Sequence, residues 1–179
     1  MTISITTRVT RLSGISSLLL SLAMGIAMPA HAALDLGQVA PKFSAPAALG
    51  GKPFVFSLAA ALAKGPVVLY FFPAAFSQGC SIEAHEFAEA IEKFKALGAS
   101  VVGVSTDDID TLSKFSSQVC QGKFPVASDE SRTITQSFDA VMQTRPDFAN
   151  RISYVIAQDG SVAFYYLSLN PTQIGRAHV

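Results

Sequence analysis

The chain has 179 residues, half of them hydrophobic, and 13 Lys+Arg balance 13 Asp+Glu to a formal net charge of zero. No basic run stands out, which argues against a nucleic-acid partner, and the length suits a single domain. Only two cysteines are present, Cys80 and Cys120.

Met1 to Ala32 carries Arg8 and Arg11, an apolar run from Ile15 to Met28, then Ala30-His31-Ala32. A basic start, an apolar centre and a small-x-small end are the form of a secretory signal peptide. The run is short against the about 20 residues that span a bilayer. The reading is export to the periplasm or medium with cleavage after about Ala32. The 147 residues that follow hold 11 Lys+Arg and all 13 Asp+Glu, a formal charge of −2, and no second long apolar run. After signal removal no membrane association is expected. An even cysteine count in an exported protein permits a disulfide.

Residues 33–65 are rich in Ala, Gly and Pro and read as an entry loop with minor strands around Phe54-Val55-Phe56. Val67 to Phe72 is a continuous apolar run of strand length, suited to burial on both faces. Pro73 to Gly79 then forms a Pro/Ser/Gly loop that delivers Cys80 to the start of a helix. Ile82, Phe87, Ile91 and Phe94, with Ala84 and Ala88, read as that helix's apolar face, and Gly98 as its stop.

Ala99 to Val104 is a second buried strand, and Asp107-Asp108 opens a helix carrying Ile109, Leu112 and Phe115, with Cys120 at its far end. Phe124 to Ala127 reads as a short strand and Thr133 to Phe138 as a short helix. Ile152–Ile156 and Val162–Leu167 flank Gln158-Asp159-Gly160-Ser161 as a hairpin. This order predicts an α/β sandwich with a mixed sheet. The last six residues, Ile174 to Val179, back-translate with one codon choice to a common sequencing adapter. They are expected to be foreign to the domain, which then covers residues 33–173.

The thiolate is the reactive form of cysteine, and a free thiol of pKa about 8.5 is only about 3% ionised at pH 7. Reaching about 90% means a pKa near 6, a shift worth about 3.4 kcal/mol. Helix N-terminal amides supply roughly 0.5–1 kcal/mol of that, and a charged hydrogen bond from an arginine roughly 1.5–3 more. An arginine partner for Cys80 is therefore expected. Arg132, Arg145 and Arg151 are the candidates, and periodicity does not choose among them.

Pro73-x-x-x-Ser77-x-x-Cys80 resembles the Pro-x-x-x-Thr/Ser-x-x-Cys signature of the peroxiredoxins. The stretch from Tyr70 to Phe87 is similar to the Q-type, or bacterioferritin-comigratory, subgroup. The likeness continues through Val104-Ser105-Thr106-Asp107, Phe124-Pro125-Val126, Ser128-Asp129 and Arg151 to Ile156, covering roughly residues 36–171.

The resemblance implies a thioredoxin-like three-layer sandwich around a mixed sheet. It implies a thiol-dependent peroxidase with no cofactor and no metal, acting on hydrogen peroxide and organic hydroperoxides. Its partner would be a thioredoxin-like protein reductant, and its state a monomer or weak homodimer. In this reading Cys80 is the peroxidatic cysteine. Ser77 places a hydroxyl between thiolate and peroxide, Pro73 shields the pocket, Arg151 holds thiolate and substrate, and Glu83 orients Arg151. There are departures. Ser77 stands where threonine is commoner, and His85 where many Q-type members have a second cysteine. Cys120 is then the resolving candidate, about one turn beyond the usual place at Ser116. The competing classes are a thiol–disulfide oxidoreductase, which would need the Cys-x-x-Cys that Cys80-Ser81-Ile82-Glu83 lacks, and a non-enzymatic thioredoxin-fold binding module.

Overall fold

The computed structural model describes residues 33–168 and residue 170; the signal-peptide reading and the reading of the last six residues lie outside the described residues. β1 (Ser44–Leu49) and β2 (Lys52–Ser57) form an antiparallel hairpin, followed by α1 (Leu58–Leu62). Gly50 and Gly51 turn the hairpin with φ of +57° and +81°, the left-handed pair that a tight two-residue loop requires. This corrects the expected entry loop to two full six-residue strands. β1 is composed of Ser, Ala, Pro and Leu, mostly weak strand formers, so its pairing on both sides, with β2 and β5, sets its conformation.

β3 (Val67–Phe71) is buried throughout, as its unbroken apolar sequence predicts. The chain continues through α2 (Gln78–Ala96), β4 (Ser100–Ser105), α3 (Ile109–Gln118), β5 (Val126–Ser128), α4 (Thr133–Ser137), β6 (Ile152–Ile156) and β7 (Val162–Leu167). One seven-stranded mixed sheet results, ordered β2-β1-β5-β4-β3-β6-β7. β4 runs parallel to β3 and β5, and every other pairing is antiparallel.

Alternate residues of β3 feed opposite faces, as the two-residue period of a strand demands. Val67, Leu69 and Phe71 join one apolar cluster with Leu58, Ile134 and Phe138 from α1 and the α4 region. Val68, Tyr70 and Phe72 join another with Phe87, Ile91, Phe94, Leu112 and Phe115 from α2 and α3. The molecule is thus a three-layer α/β sandwich, as expected. Ile82 departs from the expected face: it is 37% exposed. At 100° per residue it points about 200° away from Cys80, while Cys80, Ala84, Phe87, Ile91 and Phe94 share the buried side. Among the described residues, no helix is long and apolar enough to cross a membrane.

Candidate active site

Cys80 is the third residue of α2, directly beyond the carboxyl end of β3, and is only 1% exposed. Ser77 is the N-cap residue, but its hydroxyl does not cap the helix; it donates instead to the Ala74 carbonyl at 3.0 Å. The first intrahelical bond is Ser81 N–H to Ser77 O at 2.9 Å. The amides of Gln78, Gly79 and Cys80 therefore precede it and have no partner within the helix. They carry the positive end of the helix dipole to Cys80. Ser77 stands three residues before Cys80, with its hydroxyl turned to Ala74, and Pro73 is half-buried at the start of the loop.

Arg151 precedes β6. Antiparallel pairing sets Ile152 opposite Phe71, so the end of β3 and the start of β6 meet beside Cys80. The Arg151 backbone N–H donates to Asn150 Oδ1 at 2.9 Å, and Asn150 N–H donates to the Ala140 carbonyl at 2.7 Å. From this pinned backbone the guanidinium forks. Nη2 donates to Cys80 Sγ at 3.3 Å, and Nη1 donates to Glu83 Oε2.

Glu83 lies three residues after Cys80, one helical turn away on the same side, and is buried. Burial pushes its carboxyl from 4.5 up to about 8, while the charge and hydrogen bond of Arg151 pull it down. For Arg151 burial opposes the charge, and the neighbouring Glu83 and Cys80 outweigh it, holding the guanidinium above its usual value. The other candidate arginines are engaged elsewhere: Arg132 pairs with Asp147, and Arg145 lies 4.7 Å over the Phe148 ring.

Asp107 does not cap α3. It was expected to open α3, but Asp108 alone caps that helix, accepting from Thr111 N–H at 2.8 Å. Asp107 Oδ2 accepts from Ala75 N–H at 2.7 Å and from Ser105 Oγ at 2.6 Å, tying the Cys80 loop to the end of β4. Within that loop Phe76 takes φ +61°, and its ring meets Phe115 edge-on at 5.3 Å. A bulky residue in left-handed backbone is strained by roughly 1–2 kcal/mol, and the Asp107 tether and Phe115 contact hold it. The acidic pair was legible in the sequence; the division of labour within it depends on the β3–β4 pairing.

Cys120 follows α3 and is buried among the same apolar side chains as Cys80; both thiols are free. Burial pushes the Cys120 thiol from 9.0 up to about 12. The adjoining Gln121 and Gly122 have φ of +56° and +65°. Gln121 Nε2 lies 3.1 Å from Nδ1 of His85.

Comparison with known proteins identifies relatives of the whole fold. The Escherichia coli peroxiredoxin Bcp is 30% identical over 134 residues, 72% of this chain and 83% of its own length. The rice chloroplastic peroxiredoxin Q is 33% identical over 101 residues, 56% of this chain but 46% of that protein. The chain thus spans about half the length of that relative. Among solved structures, peroxidoxin BcpB from Mycobacterium tuberculosis superposes with a TM-score of 0.70 at 28% identity, covering 82% of this chain and 99% of that one. The fold is the thioredoxin-like fold of the peroxiredoxins. The AhpC/TSA family matches residues 36–165, a span that takes in β1 to β6, Cys80, Glu83 and Arg151, and to that family the chain belongs.

Proposed function

We propose that this chain is a thiol-dependent peroxidase in which Cys80 reduces hydrogen peroxide and organic hydroperoxides. The carrying observation is the fork of Arg151, with Nη2 at 3.3 Å from Cys80 Sγ and Nη1 braced by Glu83. The Cys80 thiolate attacks one peroxide oxygen; the S–O bond forms as the O–O bond breaks. The departing oxygen leaves with the electron pair and takes a proton to become water or an alcohol, and sulfur becomes a sulfenic acid. Negative charge moves from sulfur to the leaving oxygen. Fixed donors such as Arg151 and the first-turn amides follow that charge without reorganising. Ser77 Oγ joins them by rotating from Ala74 toward the bound peroxide, and Pro73 keeps water from the pocket.

In the second step Cys120 Sγ attacks Cys80 Sγ, forming a disulfide and releasing water. A dithiol of a thioredoxin-like protein then returns both cysteines to thiols and is itself oxidised. Export places that reductant outside the cytoplasm. A Cys-x-x-Cys oxidoreductase is disfavoured by Glu83 at the position of the second cysteine, and a mere binding module by the intact Cys80–Arg151–Glu83 set. Peroxide consumption with a dithiol reductant tests the reading. Wild-type protein should turn over, and Cys80→Ser should be inactive yet folded, because serine stays protonated at neutral pH. Turnover retained by Cys80→Ser would sink the proposal.

A further inference from the structure

The layer between the sheet and α2 holds buried polar atoms that the proposed chemistry does not use. Among the described residues, Tyr70 Oη, Glu83 Oε1 and Ser153 Oγ are buried side-chain atoms without a hydrogen-bond partner. Such atoms in a folded protein ask for an explanation, because each sets the full cost of desolvation against folding. Tyr70 is a donor, and Glu83 Oε1 is an acceptor once its raised carboxyl ionises, so the two are chemically complementary.

Their placement is complementary too. Tyr70 belongs to the β3 face that meets α2. Its ring stacks on Phe87 at 4.4 Å, and Phe87 is four residues after Glu83, the spacing that makes helix side chains neighbours. The far end of the ring crosses β4, where a Cβ on Gly103 would lie 2.8 Å from Cζ and 2.9 Å from Oη. The phenol is wedged there and has nowhere to turn for solvent. Burial, with the nearby charges of Cys120, Glu83 and Cys80, keeps it protonated well above the ordinary tyrosine range, so it remains a donor at any working pH.

We propose that Tyr70 donates across one buried water to Glu83 Oε1. Tyr70 is then a positioning residue: it fixes the carboxylate whose other oxygen holds Arg151, and Arg151 in turn meets Cys80. This rests on the reading of Cys80 as the reacting thiol only for its effect on rate; the contact itself is independent of that reading. Ser153 lies opposite Tyr70 on β6 and is the control, a third orphan on the same face that the proposal leaves out.

The test uses the full-length reduced protein, carrying 13C-carboxyl glutamate, and Tyr70→Phe, which keeps the ring. Five glutamates make assignment tractable. Removing a donor from a carboxylate disfavours its charged form, so the Glu83 resonance should titrate at higher pH in Tyr70→Phe and be unmoved in Ser153→Ala. Tyr70→Phe should also lower Tm, and slow iodoacetamide alkylation of Cys80 above pH 8, where Glu83 is ionised, by at least about twofold, the low end for residues sharing one network. An unshifted Glu83 titration in Tyr70→Phe overturns the proposal, as does a larger shift in Ser153→Ala than in Tyr70→Phe. Should Glu83 not titrate between pH 4 and 10 in wild type, Tm decides: a fall supports the contact, and an unchanged or raised Tm overturns it. Alkylation needs no peroxide, so loss of the peroxidase reading would show separately in turnover.

Discussion

Arg151 serves two partners at once, and replacing it separates their contributions. Arg151→Met keeps the length of the stem but removes both donors. Loss of one oxyanion donor costs about 100- to 1000-fold in kcat, and a drop of that order is expected in stopped-flow peroxide kinetics. Iodoacetamide should also react with Cys80 more slowly at pH 7. If neither rate moved, Arg132 or Arg145 would have to reach the site despite their present partners. Glu83 has its own signature in stability. Its folded-state carboxyl is raised from 4.5 to about 8, chiefly by burial, so between those values the native state holds a proton that the unfolded state has lost. This contribution is full below about pH 4.5 and disappears as pH climbs through 8, with a slope of at most about 1.4 kcal/mol per unit. Urea titrations across that window should show stability falling with pH, and Glu83→Gln should flatten the fall. At this scale Cys80 was legible as a thiol at a helix start in need of an arginine, whereas Glu83 and the choice of Arg151 came only through the family resemblance, Arg151 lying 71 residues further along the chain. The direction of the Ser77 hydroxyl was not legible: it answers to a carbonyl three residues back, which no spacing rule announces.

Gly103 shows why an element is more than its own residues. Glycine weakens a strand interior, yet here it lies beneath the Tyr70 ring across the β3–β4 ladder, where a Cβ would sit 2.8 Å from Cζ. The ring is rigid and held by Phe87, Phe72 and Phe124, so it has little room to yield. Gly103→Ala should therefore destabilise the protein by about 1–3 kcal/mol, the usual cost of overpacking, measurable as a lower urea midpoint. A gain in stability would mean the aromatic stack is loose. The β1–β2 hairpin teaches the converse lesson. Its small residues conceal a strand that exists because two neighbours pair with it, and it also buttresses α3: Gly51 N–H donates to Ser116 Oγ at 2.9 Å.

For the molecule as a whole, the decisive question is how two buried thiols meet. Cys120 sits behind the α3 exit, which is held by Gly122 N–H to Ser116 O at 2.9 Å, by the Gln121–His85 contact, and by Gly122 packing against Gly50. Disulfide formation on the proposed cycle needs this exit to open, because Cα atoms must come within about 7 Å. In the closed form the Cys120 thiol is pushed up to about 12 and is inert; exposure would return it toward 9.0. Crosslinking after one equivalent of peroxide should therefore quicken between pH 7 and 9. It should also quicken in about 1 M urea, below global unfolding, if local opening limits the rate. Peptide mapping of the Cys80–Cys120 disulfide against time measures this. A rate indifferent to urea would show that opening is not limiting, and accumulation of sulfenic acid without any crosslink would make Cys120 ordinary packing.

Periodicity and local chemistry were enough to place β3, α2, β4, α3 and the β6–β7 hairpin within a residue or two, because each carries its burial pattern in its own order of side chains. They were also enough to single out Cys80 as a thiol at a helix start in need of an arginine. Which arginine was left to the family resemblance, and tertiary structure decides it physically: the Phe71–Ile152 register of two strands far apart in sequence sets Arg151, rather than Arg132 or Arg145, beside the sulfur. The same holds for β1, for the separate tasks of Asp107 and Asp108, and for the contact of Tyr70 with Gly103. Each depends on a neighbour brought across the sheet, and local order along the chain carries no record of who that neighbour will be.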